Sequence, residues 1–210
     1  MPVKIKNMKN IIIATSNPGK FSEIKVILND EFDTFYSLRD MHEEIEVKED
    51  SNNYLENVLK KARKIGDRFD MNTIADDSGI EVLALQRRPG VFSSRYGRDD
   101  EERINKLLVE LAGVPWEKRG ANFKAYVALY IPEKDRIYIF YGFLKGYVGF
   151  ERIGTGGFGY DPVFYVPEVG KYMAELTLEE KNRLSHRGRA FNALKDFLNT
   201  TFFRNLRVSK

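Results

Sequence analysis

The chain has no cysteine, so disulfides and thiolate chemistry are excluded, and the composition fits a reducing compartment. It has little net charge. The 34 Lys and Arg stand against 31 Asp and Glu, a formal +3, which removes the general case for a nucleic-acid partner. No apolar run approaches the ~20 residues of a membrane helix. Met1 to Asn7 is too short and polar for a signal peptide, and Met8 is an alternative start. Only two histidines are present, His42 and His186, and no histidine–carboxylate cluster suggests zinc. No serine sits in a G-x-S-x-G elbow, which argues against a hydrolytic triad. These absences leave a cytoplasmic protein with no membrane and no nucleic-acid partner as the expectation. Its 210 residues are expected to form one domain, 1–210, with residues 1–9 and 200–210 peripheral.

What the chain does have is an unusual glycine segment, Gly154-Thr155-Gly156-Gly157-Phe158-Gly159-Tyr160-Asp161-Pro162. Glycine and proline at this density rule out a regular helix or central strand and point to a loop whose backbone approaches a ligand. Gly154, Gly156 and Gly159 spell G-x-G-x-x-G, but that fingerprint needs a strand before it and a helix after it. Here Asp161-Pro162 leads into Val163-Phe164-Tyr165-Val166, a turn entering a strand, so a dinucleotide site is not expected.

The periodicities describe an α/β protein with a long, largely antiparallel or mixed sheet, in one body or two lobes. Asn10 to Ala14 reads as a buried strand, and Asn17-Pro18 as a cap followed by proline at a first helical position. A second strand is expected near Thr34-Phe35-Tyr36. A strong helix is expected over 53–69, with Leu55, Val58, Leu59, Ala62 and Ile65 on one face. Thr73-Ile74-Ala75 reads as a short strand that stops at Asp76-Asp77-Ser78-Gly79, with Ile80 to Leu85 continuing in extended form. Ile104, Leu107, Leu108 and Leu111 mark a further helix. Alternation over 123–131 and 136–143 around Pro132 to Asp135 predicts a hairpin. Thr177 with Glu180 forms a capping box, and a last helix is expected over 186–198.

Three segments could carry chemistry besides the glycine loop. Thr15-Ser16-Asn17-Pro18-Gly19-Lys20 joins a strand to a helix, where backbone N–H groups attract anions and Lys20 adds a charge. It lacks the first glycine and the Ser or Thr of a Walker A loop. Asp76-Asp77 supplies carboxylate oxygens suited to Mg²⁺. Adjacent strand residues point to opposite faces, so one of the two is expected to serve a given site. A second carboxylate could come from Glu43 to Glu46 or Glu49-Asp50. Ser185-His186-Arg187 opens the last helix with basic residues at the wrong end of its dipole, which an anionic ligand would explain. Phe158 and Tyr160 offer flat surfaces for a base, and Asp161 an acceptor for a ring N–H. Each has a plain alternative: a capped turn, a polar turn, two solvated side chains, two core aromatics.

Together these segments, with Leu55-Glu56-Asn57, Ser93-Ser94-Arg95-Tyr96 and Glu179-Glu180-Lys181, resemble the inosine triphosphate pyrophosphatase family in order and over about residues 10 to 198. The resemblance implies an elongated mixed β-sheet flanked by helices, in two lobes with a central cleft, and a homodimer. It implies hydrolysis of the α–β phosphoanhydride of inosine, deoxyinosine and xanthosine triphosphates to the monophosphate and pyrophosphate, with Mg²⁺. It places the triphosphate on Thr15, Ser16, Asn17, Pro18, Gly19 and Lys20, and makes Asp77 the catalytic and metal-binding carboxylate with Glu49 beside it. It gives substrate contacts to Ser78, Arg95, Phe158, Gly159, Tyr160, Asp161, Lys181, His186 and Arg187. The Glu49 segment departs from the family pattern, since Glu49-Asp50-Ser51-Asn52-Asn53 lacks its glycine and threonine. Two other readings remain: a related Maf-like pyrophosphatase with another base preference, and a nucleotide-binding module without catalysis.

Overall fold

The computed structural model describes residues 9–208, apart from 42–44, 46, 48 and 49. The expected metal ligand Glu49, His42 and residues 1–8 therefore lie outside the described residues. Among the described residues seven strands form one mixed sheet in the order β2-β1-β3-β4-β5-β6-β7. The strands are β1 Asn10–Ile13, β2 Thr34–Ser37, β3 Thr73–Val82, β4 Gly120–Ile131, β5 Arg136–Val148, β6 Phe164–Val166 and β7 Lys171–Tyr172. β1 pairs in parallel with β2 and with β3, whereas β5–β6 and β6–β7 are antiparallel. The helices are α1 Pro18–Leu28, α2 Tyr54–Phe69, α3 Asp100–Glu110, α4 Leu178–Leu184, α5 His186–Leu198 and α6 Thr201–Val208.

The chain divides into two compact units. The first holds residues 1–77, 126–141 and 190–210, and the second 78–125 and 142–189. The core of the first packs Ile12 and Ala14 of the β1 end against Val58, Ala62 and Ile65 of α2 and Ala128 and Tyr130 of β4. The α2 stripe recurs at helical spacing, Asn53 caps it by accepting from the Leu55 N–H, and Asp70 in the left-handed region ends it. The core of the second joins Ile80 and Val82 of β3, Ile104 and Leu107 of α3, Phe123 of β4, and Val163, Phe164 and Val166 around β6. Arg119 is buried among backbone oxygens there. It donates to the carbonyls of Leu111 (2.8 Å), Val148 (2.8 Å) and Gly149 (2.6 Å), and burial lowers its pKa.

Two expectations are corrected. β3 does not stop at Asp76 but continues through Asp77-Ser78-Gly79 to Val82. The tail after 200, expected to be peripheral, carries helix α6, because Phe203 packs at 5.1 Å on Phe197 and edge-on at 6.1 Å to Tyr138. Packing, not local propensity, decides this segment. Among the described residues no helix is long and apolar enough to cross a membrane.

Candidate functional site

In the first unit the carboxyl end of parallel strand β1 runs into the loop Thr15 to Lys20, the position at which open α/β sheets bind ligands. The loop is built by its own side chains. The Thr15 hydroxyl accepts from the Asn17 N–H at 3.2 Å, and the Asn17 side chain caps α1 by accepting from the Lys20 N–H at 3.1 Å. Pro18 occupies the first helical turn, where its missing N–H costs nothing. Ser16, Asn17 and Pro18 are exposed, with Gly19 and Lys20 half-buried.

The paired acids go to different partners. Asp76, with a side chain 1% exposed, accepts from the Lys20 ammonium at 2.8 Å, and its backbone carbonyl accepts from the Lys61 ammonium at 2.9 Å. Asp77, also buried, accepts from the Asn57 carboxamide at 3.1 Å. A polar turn, the plain alternative for this pair, is excluded by the strand around it. Lys61 and Asn57 are contacts that the sequence reading missed. Their signal is faint: Asn57 is a polar residue in the buried stripe of α2, which otherwise carries Tyr54, Val58, Ala62 and Ile65.

In the second unit the glycine loop closes on Asp161. This buried carboxylate accepts from the Phe158 N–H at 2.9 Å and from the buried Lys181 ammonium. Gly157 makes the approach possible. Its φ is +73°, and a Cβ there would stand 2.1 Å from an Asp161 oxygen. The Gly159 N–H donates to Asp100 at 2.7 Å, tying the loop to the first turn of α3. The Lys181 ammonium and the Arg187 guanidinium lie 4.5 and 5.3 Å from the Phe158 ring centre. Arg187 also donates to the Ser78 hydroxyl at 3.0 Å.

His186 and Arg187 are buried, so the reading of two solvated side chains falls. The Ser185 hydroxyl accepts from the Gly188 N–H at 2.9 Å at the start of α5. The His186 ring stacks on Phe123 at 4.5 Å. Tyr160 departs from the expected flat surface. Its ring is 5% exposed within the core, and its hydroxyl donates to the Ser93 carbonyl at 2.9 Å. Burial raises its pKa. Arg95 is an exposed residue whose guanidinium lies 5.5 Å from the Phe92 ring centre. Thus Ser78, Phe158, Asp161, Lys181 and Arg187 come together, and Lys20 and Asp76 pair in the first unit.

Among the described residues no group of three or more His, Asp or Glu forms a ready-made metal cage. The donor chemistry still fits Mg²⁺, which keeps several waters and needs one or two carboxylates plus substrate phosphate oxygens. Asp77, which accepts from Asn57, offers such a carboxylate, and Asp76 is paired with Lys20.

The dITP/XTP pyrophosphatase of Halalkalibacterium halodurans is 45% identical over 91% of this chain and 100% of its own length. That of Geobacter sulfurreducens is 47% identical over 91% and 97%. The solved Ham1 protein of Staphylococcus aureus superposes with a TM-score of 0.79 at 36% identity, covering 90% of this chain and 98% of that one. The HAM1 protein of Coxiella burnetii gives 0.78 at 37%, over 90% and 98%. The family's sequence profile matches residues 11–197, which takes in the Thr15 loop, the Asp76-Asp77 strand, the glycine loop and the His186-Arg187 helix, and the chain belongs to the Ham1 family.

Proposed function

We propose that this protein is a hydrolase that cleaves the α–β phosphoanhydride of inosine, deoxyinosine and xanthosine triphosphates to the monophosphate and pyrophosphate, removing deaminated purines from the nucleotide pool. The observation that carries the reading is the buried Asp77 carboxylate, fixed by Asn57 in the strand that also holds Lys20 through Asp76. The names of the Halalkalibacterium and Geobacter relatives support the substrate class.

Each group has work to do. Backbone N–H groups and the hydroxyls of the Thr15 to Lys20 loop bind phosphate oxygens, and Lys20, Arg95, Lys181 and Arg187 offset the triphosphate charge. Asp77 orients a water and takes its proton as the water oxygen bonds to phosphorus and the bridging oxygen leaves with the other phosphate group. Mg²⁺, held by Asp77 with Glu49, would neutralise charge and polarise a phosphoryl oxygen. Phe158 presents its ring to the purine, and Ser78, Gly159 and His186 contact the nucleotide; the buried ring of Tyr160 leaves its backbone for that task. A 6-oxo purine carries an N1–H that adenine lacks. Asp161, or a carbonyl of its loop, accepts it, so adenine leaves an acceptor unmet. The protein works in this reading as a cytoplasmic homodimer.

The test is pyrophosphate release from all standard and deaminated triphosphates, with and without Mg²⁺. Inosine and xanthosine triphosphates should exceed adenosine triphosphate by ~10²-fold or more, with turnover lost on chelation. Release of orthophosphate, a preference for pyrimidine or methylated nucleotides, or binding without turnover would each overturn the proposal.

A further inference from the structure

Asn57 lies one helical turn after the start of α2, fully buried, where the rest of the stripe is apolar or aromatic. An asparagine in a helix interior is a poor helix former because its side chain competes for backbone bonds. Burying its carboxamide is costly unless each polar atom is met. All its hydrogen-bonding groups are met here. Nδ2 donates to the Asp77 carboxylate at 3.1 Å and to the Ser51 carbonyl at 3.2 Å, and Oδ1 accepts from the Ser51 N–H at 3.1 Å. One side chain thus ties the backbone of the segment before α2 to the acid in β3. Ser51 is itself fixed: its hydroxyl donates to Glu56 and accepts from the Asn53 N–H at 3.1 Å.

We infer that Asn57 is a positioning residue that acts through Asp77. Its planar carboxamide, held at both ends by Ser51, cannot rotate without breaking two backbone bonds, so the Nδ2–H aimed at Asp77 has a fixed direction. That fixes the carboxylate's rotamer and the orientation of the oxygen lone pairs that meet the water. A carboxylate left to rotate would still bind substrate but would spend less time in the reactive geometry. The inference rests on the proposed role of Asp77. It predicts a loss in turnover rather than in binding.

The experiment compares Asn57→Leu, similar in volume without polar atoms, with Asn57→Asp, which keeps an acceptor for the Ser51 N–H and loses both donors. With inosine triphosphate and Mg²⁺, kcat should fall ~10- to 10²-fold in both, while KM moves less than ~3-fold. A folded variant that keeps its kcat, or one whose loss lies in KM, overturns the inference. A second measurement needs neither activity nor metal. In metal-free Asp77→Ala, hydrogen exchange at the Ser51 N–H should quicken by ~10-fold, because the carboxamide has lost one anchor. Unchanged exchange overturns the coupling even if the Asn57 variants fail to fold. If the unaltered protein releases no pyrophosphate from any triphosphate, the proposed function fails by itself, and the exchange measurement still decides the positioning.

Discussion

Removing the Asp161 carboxylate should damage the protein through Lys181. Both side chains are almost fully buried, 5% and 4% exposed, and they form an ion pair. Breaking a buried pair by deleting one partner costs ~3–5 kcal/mol, because the remaining charge loses its compensation in a poorly solvated place. In Asp161→Ala the Phe158 N–H also loses its acceptor. In a chain of this size 1 kcal/mol moves Tm by ~2–4 °C, so Asp161→Ala should lower Tm by ~6–20 °C. The partner-deleted variant Lys181→Met should show a comparable loss. The double variant Asp161→Ala/Lys181→Met, with no charge left in the pair, should be at least ~2 kcal/mol more stable than the sum of the singles predicts. Calorimetric melting of the four proteins measures this. Simple additivity would refute the claim that the two act as one unit. The same variants address base choice: if Asp161→Ala left inosine-over-adenosine discrimination intact, the ring N–H would have to be met by a loop carbonyl instead.

Asp77→Asn should cut pyrophosphate release from inosine triphosphate by ~10²-fold or more with the melting transition preserved, and near-normal turnover would remove Asp77 from its role. Gly157→Ala adds a Cβ at φ +73° against Asp161, a local strain of ~1–3 kcal/mol, and should raise KM for inosine triphosphate by at least ~5-fold; an unchanged KM would show the loop yields freely. Phe203→Ala, which empties the position of a ring 1% exposed, should cost ~3–5 kcal/mol in urea unfolding unless α6 is dispensable. The hydroxyls of Tyr96 and Tyr130 are pushed up to about 12, by burial first and then by hydrogen bonds to Glu110 and Asp67. A raised acid favours its neutral form in the folded state. Its stabilisation is therefore complete below the ordinary value of 10.0 and is lost between there and about 12. Near-ultraviolet titration of tyrosinate, alongside the urea midpoint, checks this, and ionisation of every tyrosine at its ordinary value would contradict it.

Local rules carried far into this molecule. Asn17 before Pro18, the α2 stripe, the hairpin around Pro132 and the Thr177–Glu180 capping box all hold, because each depends on residues within a few positions of one another. The α/β class and the family resemblance hold for the same reason. Where the reading failed, the deciding partner is remote. The Tyr160 ring belongs to the core because its hydroxyl finds Ser93, 67 positions earlier. Helix α6 forms because Phe203 meets Phe197 and Tyr138, an outcome that a short basic tail does not announce.

The Asp76-Asp77-Ser78-Gly79 stretch shows why fold and candidate site are one problem here. Its composition is that of a turn, and two carboxylates placed in the middle of a strand would each cost several kcal/mol if left unmet. The strand persists because donors arrive from elsewhere: Lys20 and Lys61 at Asp76, Asn57 at Asp77, Arg187 at Ser78. These lie 15 to 109 positions away, beyond any local pattern. In the proposed reaction each also has a use toward a phosphate or an attacking water. If Asp77 acts as proposed, the bonds that let acidic residues sit in a strand are also the bonds that present them for chemistry. A substitution among Lys20, Asn57, Lys61 or Arg187 should then change local order and turnover together, whereas one at the exposed loop residue Ser16 should change substrate binding with the strand intact.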